Sequence, residues 1–281
     1  MRVEVEPGVR LFFDVVGSGL AATDAAMVPK PTLLLLHGGP GFDHSGFRPY
    51  FDRFADTHQV VYLDQRGQGR SDGHDDHASW TFDVWADDVV RVCDALDIEA
   101  PVVLGNSFGG FVAMHYAARH PEHASKLVLA STQARRHVEN TAARFEALGG
   151  PEARDCYLRV FDGVPTPEDG IEYLQRCIPL YNRTPSSLAP DRSILNLAMM
   201  ADSTRWFLEY DQRADLADIR VPTLVLAGED DPMTPVEAAE EIVALLPDGV
   251  GRLERFADCG HGTYRDQPER TEAVLRAFLA A

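Results

Sequence analysis

Apolar and polar positions along the chain alternate between two kinds of segment. Six mostly apolar runs, Thr32 to His37, Gln59 to Asp64, Pro101 to Asn106, Lys126 to Ser131, Thr223 to Gly228 and Arg252 to Phe256, each end where something polar or glycine-rich begins. Short continuous apolar runs suit parallel strands buried on both faces. Two further runs, Arg2 to Val5 and Arg10 to Val16, lie close enough for an antiparallel hairpin at a sheet edge. Between the runs, Phe82, Trp85, Val89, Val92 and Leu96 recur at steps of three and four, which predicts an amphipathic helix with Asp83, Asp87, Asp88, Arg91 and Asp94 on its other face. Phe108 to Arg119, Pro235 to Leu246 and Arg270 to Leu279 read as further helices, the second with proline at its start, where a missing N–H costs nothing. This alternation predicts an α/β fold with a mostly parallel central sheet and helices on both faces.

The alternation breaks between Thr132 and Leu216. That interval holds Arg135-Arg136, several prolines and helical patches such as Ile194 to Leu208, but no clear strand. The expected organisation is a core of residues 1–131 and 217–281 with a helical cap insertion, 132–216, packed over the strand ends. A Gly/Ala/Pro-rich connector, Gly17 to Pro31, precedes the first buried strand.

Charge narrows the partners. The chain has 281 residues, with 26 Lys and Arg against 44 Asp and Glu, a net charge of −18. Such a surface repels phosphate backbones, so neither nucleic acid nor an anionic membrane is an expected partner. The strongest apolar run, Thr32 to Leu36, is far shorter than the roughly 20 residues that span a bilayer. The first residues, Met1 to Pro7, lack the apolar stretch of a signal peptide, so the expected location is cytoplasmic. Four cysteines, Cys93, Cys156, Cys177 and Cys259, lie far apart without Cys-x-x-Cys spacing and read as free thiols. The polar loop Asp72 to His77 has no accompanying third ligand motif, so no metal is expected. No phosphate loop is present either, and the reading needs no cofactor.

The sharpest chemical signal is Gly105-Asn106-Ser107-Phe108-Gly109-Gly110, a Gly-x-Ser-x-Gly pattern directly after a strand and directly before a helix. A turn that sharp needs glycines, and it would hold the Ser107 hydroxyl above the sheet as a nucleophile. A serine needs a base. His261, in Cys259-Gly260-His261-Gly262, follows the last strand on the same side of the sheet, with glycines that let the loop come close. The acid that orients the imidazole belongs after the strand Thr223 to Gly228, where Glu229, Asp230 and Asp231 compete; loop register favours Asp231, with Asp230 second. His37-Gly38-Gly39-Pro40-Gly41 follows the first buried strand, and the N–H groups of Gly39 and Phe108 are the expected oxyanion donors. His37 itself reads as a structural hydrogen-bonder, because one imidazole suffices for this chemistry. Trp206 and Phe207, beside Met199 and Met200, are candidates for lining an acyl pocket.

These motifs resemble a known family. His37-Gly38-Gly39-Pro40-Gly41, Asp64-Gln65-Arg66-Gly67-Gln68-Gly69-Arg70-Ser71-Asp72 and Gly105-Asn106-Ser107-Phe108-Gly109-Gly110 look like those of the proline iminopeptidase (prolyl aminopeptidase) family of α/β-hydrolases. The order Ser107, Asp231, His261 is that of the α/β-hydrolase fold. Gly228 through Asp231 to Pro235 matches the family's Gly-x-x-Asp-x-x-x-Pro, which places Asp231 ahead of Asp230. The resemblance covers His37 to Ser131 and Val221 to His261, and it implies a serine hydrolase acting through an acyl-enzyme on a short peptide or other small molecule. It favours removal of an N-terminal proline or other small residue, or hydrolysis of a related aminoacyl amide. In the family, acidic residues hold the substrate's free amine; here Asp202, Glu209 and Asp230 are the candidates, and Pro232 stands where some members have Glu. The alternative on the same triad is an esterase, lactonase or thioesterase.

Overall fold

The computed structural model describes residues 1–163, 165–184, 192–208 and 210–281, the side chains of 203–208 excepted. The chain opens with β1 (Arg2–Glu6) and β2 (Val9–Val16), paired antiparallel as the hairpin spacing predicts. The Gly/Ala/Pro-rich connector holds a small separate ladder, β3 (Leu20–Ala22) against β4 (Met27–Pro29). Its strands have three residues each, too few for a period to register.

The parallel strands follow: β5 (Thr32–Leu36), β6 (Gln59–Leu63), β7 (Val102–Asn106), β8 (Lys126–Ala130), β9 (Thr223–Gly228) and β10 (Gly251–Phe256), the last not buried as expected except at Phe256, because it lies at the sheet edge. The sheet order is β1-β2-β6-β5-β7-β8-β9-β10, parallel from β6 to β10. Alternate side chains explain why β5 to β9 are largely apolar on both faces. Leu34, Val103, Leu127, Leu129 and Val225 face one apolar cluster, while Leu33, Leu35, Leu104, Val128 and Leu224 face the other. Burying such a side chain contributes about 1.5–3 kcal/mol, so a polar residue on either face would be costly.

Helices α1 (Phe82–Ala95), α2 (Phe108–Arg119) and α7 (Val236–Leu245) pack on the first face. On the second lie α9 (Pro268–Ala280), which follows the short α8 (Thr263–Asp266), and two 3-10 segments within 44–56 carrying Phe47, Phe51 and Phe54. Thr81 starts α1 by accepting from Val84 N, and the helix ends one residue short of Leu96. One position on its polar face departs from expectation: Asp88 is buried, because Arg66 reaches it with Nε and Nη2, each at 2.7 Å. A paired, doubly hydrogen-bonded carboxylate tolerates burial where a lone one would not.

Between β8 and β9 the chain forms α3 (Val138–Gly149), α4 (Pro151–Phe161), α5 (Pro167–Arg176) and α6 (Leu197–Leu208). Thr166 and Asp169 start α5 by reciprocal capping. Phe145, Tyr157, Tyr173, Cys156 and Cys177 give this segment its own small core, against which Met233 of the acid loop packs. All four cysteines are free and buried, and burial pushes the Cys93 and Cys259 thiols up to about 12.

Candidate active site

The chemical residues rise from loops at the C-terminal ends of the parallel strands. Ser107 joins β7 to α2 at φ 54° and ψ −118°, a left-handed conformation for a residue with a side chain. Several hydrogen bonds hold it there. Ser107 N donates to Ala130 O at 2.9 Å, while Thr132 Oγ1 and Gly110 N donate to Ser107 O at 2.9 and 2.8 Å. The flanking glycines are required by close approach: a Cβ on Gly105 would stand 2.2 Å from Gly109 O, and one on Gly109 would stand 2.1 Å from Leu36 O. Ser107 is partly exposed, whereas Phe108 behind it is buried.

The loop after β5 lies against this turn. A Cβ on Gly38 would meet Ser107 Cβ at 3.2 Å, so the main chain of Gly38, the residue before Gly39, passes beside the serine. Phe108 opens α2, and its N–H belongs to the first helical turn, whose donors find no acceptor within the helix. His37 is buried; its Nδ1 lies 2.8 Å from Gly38 O, and Gln65 Nε2 donates to His37 O at 3.0 Å. Burial pulls the His37 pKa below its ordinary value, against the pull of nearby Asp64. Asp64, also buried, accepts from His44 N and Arg70 N and meets His44 Nδ1 at 2.7 Å. Burial alone would raise the Asp64 carboxyl, yet these partners hold it below the ordinary range.

Asp231 is fully buried after β9, and one of its oxygens organises its own loop while the other also reaches the loop after β10. Its Oδ1 accepts from Met233 N at 2.8 Å and Thr234 N at 3.0 Å. Its Oδ2 accepts from Thr234 Oγ1 at 2.6 Å and lies 2.8 Å from His261 Nδ1. The loop after β10 carries His261 and is stitched to the acid loop by Asp230 N donating to Cys259 O at 2.9 Å. Gly228 allows that proximity, since a Cβ there would stand 2.1 Å from Gly260 O. With Nδ1 donating to the carboxylate, Nε2 of His261 is left as the basic nitrogen.

The other expected residues are placed as follows. The side chain of Asp230, adjacent to Asp231, faces outward and accepts from Arg183 Nε and Nη2 at 2.9 and 2.5 Å. Asp202, on α6, meets His77 Nδ1 at 2.8 Å near the surface. The Trp206 side chain and Glu209 lie outside the described residues. Met199 is buried at the core side of α6. Among the described residues no group of three or more His, Cys, Asp or Glu is placed to hold a metal ion, and no helix is long and apolar enough to cross a membrane.

Sequence reasoning missed several residues of this neighbourhood. Thr234 was legible in principle, because Asp231-x-x-Thr234 just ahead of a helix is a turn signature. Asn196 was not. Buried beside the glycine loops, it donates from N to Gly41 O at 2.8 Å and from Nδ2 to Gly67 O at 2.8 Å. Nor was Tyr181, whose carbonyl accepts from His261 N at 2.6 Å and whose ring meets the imidazole edge-on at 4.9 Å.

An eight-stranded, mostly parallel sheet with a strained serine turn and a carboxylate-bound histidine on its C-terminal side defines a hydrolase architecture. The chain belongs to the alpha/beta hydrolase fold family, whose sequence profile matches residues 31–268. It is 29% identical to the proline iminopeptidase of Lactiplantibacillus plantarum, over 90% of this chain and 93% of that one. The crystal structure of the Mycobacterium smegmatis proline iminopeptidase superposes with a TM-score of 0.76 at 25% identity, covering 100% of this chain and 97% of that one. The crystal structure of VinJ has the same fold, with a TM-score of 0.79, 24% identity, and coverage of 100% and 97%.

Proposed function

We propose that the chain is a serine hydrolase that cleaves an acyl bond through Ser107, His261 and Asp231, acting as a proline iminopeptidase-like aminopeptidase or aminoacyl amide hydrolase. The observation that carries this reading is the 2.8 Å contact between His261 Nδ1 and a buried Asp231 whose other oxygen is already held by two backbone N–H groups. That carboxylate fixes the imidazole tautomer and stabilises the imidazolium that forms during attack. Ser107 Oγ adds to the substrate carbonyl as its proton passes to His261 Nε2. The N–H groups of Gly39 and Phe108 receive the developing oxyanion. His261 then protonates the leaving amine, the C–N bond breaks, and Ser107 carries the acyl group as an ester. Water, deprotonated by His261, attacks that ester, and the proton returns to Ser107 Oγ as the acid leaves.

Residues 132–216 serve in this reading as a cap over the site, and the substrate is a short peptide or small amide. Proline iminopeptidases 28–29% identical over about nine-tenths of the chain support the aminopeptidase choice. A second reading, an esterase, lactonase or thioesterase on the same residues, is favoured by one observation. Asp230 and Asp202, two of the carboxylates expected to bind a substrate amine, are each already engaged, by Arg183 and His77.

Release of p-nitroaniline from prolyl and alanyl anilides, set against matched acyl esters and lactones, separates the two. The aminopeptidase reading expects unblocked anilides to be turned over and N-acetylated ones to be refused. Absence of turnover on every unblocked anilide sinks it. Failure of Ser107 to label with a fluorophosphonate at native pH sinks the serine mechanism itself.

A further inference from the structure

The segment 181–184, which follows α5 in the helical insert, is bound to both loops that carry the proposed acid and base. His261 N donates to Tyr181 O at 2.6 Å. That approach is possible because residue 260 is glycine; a Cβ there would stand 2.1 Å from Tyr181 O. In the other direction, Arg183 holds Asp230, the neighbour of Asp231.

One carboxylate closes this arrangement. Asp266, at the end of α8, accepts from Gly260 N at 2.8 Å and from Arg183 N at 3.0 Å through Oδ2, and from Thr184 N at 2.7 Å through Oδ1. Its three partners are main-chain donors, one on the residue before His261 and two on the insert. An ionised acceptor makes hydrogen bonds roughly twice as strong as neutral ones. The His261 backbone is thus gripped between Tyr181 O and the peptide that Asp266 anchors.

We propose that Asp266 is a positioning residue: it clamps segment 181–184 to the histidine loop and so sets the position of the His261 imidazole. This rests on the serine-hydrolase reading, and it extends it by making the insert part of the catalytic geometry rather than only a wall of the pocket. Displacement of a base by about 1 Å can cost about a hundredfold in rate. Substrate contacts with the insert would act on His261 through the same main-chain bonds.

The test measures steady-state kinetics and the rate of fluorophosphonate labelling at Ser107 for wild type, Asp266→Ala and Asp266→Asn, well below each melting temperature. Asp266→Ala is expected to lower kcat by about tenfold to a hundredfold with KM within about threefold, and to slow labelling by the same factor, since acylation needs the base. Asp266→Asn, whose carbonyl oxygen can still accept from Gly260 and Arg183, is expected to fall between Asp266→Ala and wild type. Should the alanine variant not fold, the near-isosteric Asn variant carries the test, with slowed labelling at unchanged KM as the supporting result. Wild-type kcat and labelling in a variant that merely melts earlier overturn the proposal and leave the serine mechanism standing. A wild-type protein that does not label at Ser107 removes the mechanism, and the positioning role with it.

Discussion

Thr234 and His261 meet on a single oxygen: Thr234 Oγ1 lies 2.6 Å and His261 Nδ1 2.8 Å from Asp231 Oδ2, and the two donors are 3.4 Å apart. The hydroxyl therefore steers the carboxylate as well as satisfying it. Thr234→Val preserves shape and removes one donor from a buried charge, an effect of about 1.5–3 kcal/mol. Both melting temperature and kcat are expected to fall, kcat by about tenfold or more. Thermal melts and kinetics on the best substrate check this, and an unchanged kcat would show that the imidazole and the Met233 and Thr234 N–H groups suffice to orient Asp231.

The proposed nucleophile and acid give the largest effects. Ser107→Ala should lower turnover by at least about three decades with an unchanged circular dichroism spectrum. Asp231→Asn should cost about three to four decades, because an amide there favours the wrong imidazole tautomer. Asp230→Asn loses only an exposed pairing with Arg183 and should stay within about tenfold of wild type. The reverse ranking of the two aspartates would reassign the acid.

Two glycine substitutions of opposite sign test the packing. Gly109→Ala would drive a methyl group to 2.1 Å from Leu36 O, between the nucleophile turn and β5, and is expected to abolish soluble expression or lower the melting temperature severely. At Gly170, inside α5, a Cβ meets nothing within 4 Å, so Gly170→Ala should stabilise by about 0.5–1 kcal/mol. Denaturant titration of each variant reads both signs.

Stability should also depend on pH in a definite direction. Burial lowers the pKa of His37, and likewise those of His58 and His137, so the folded chain resists protonation that the unfolded chain accepts below about 6.5. The unfolded state then binds more protons, and stability that is complete above that value is lost as pH falls. Asp64 has the same sign at lower pH, its depressed pKa contributing stability that disappears as pH falls below the ordinary carboxylate range. Melting temperatures from pH 8 to about 5 should decline, and His37→Asn should flatten the slope. An identical slope in that variant would exclude His37 as a source.

Legibility in the sequence followed burial. Strands buried on both faces announce themselves as apolar runs, and β9 and α2 fall at the boundaries their patterns predict. Ser107 and His261 were legible because close backbone approach forces glycines around them. Residues such as Asp266, Tyr181 and Asn196 left no such trace, because they act across long separations through main-chain groups that any sequence supplies. Asp88 was misjudged for a related reason: its partner Arg66 comes from a loop, and no helical period reports it.

The outer strand β10 has a further consequence. It carries Arg252, Glu254 and Arg255 around Leu253; Glu254 pairs with Arg252 and Arg270, and Arg255 with Glu229 and Glu240. At the opposite margin β1 presents Arg2 and Glu4. A strand from a second molecule could extend the sheet only by stripping water from those charges and breaking their pairings. The two charged margins therefore disfavour edge-to-edge pairing of a sheet whose central strands are very apolar.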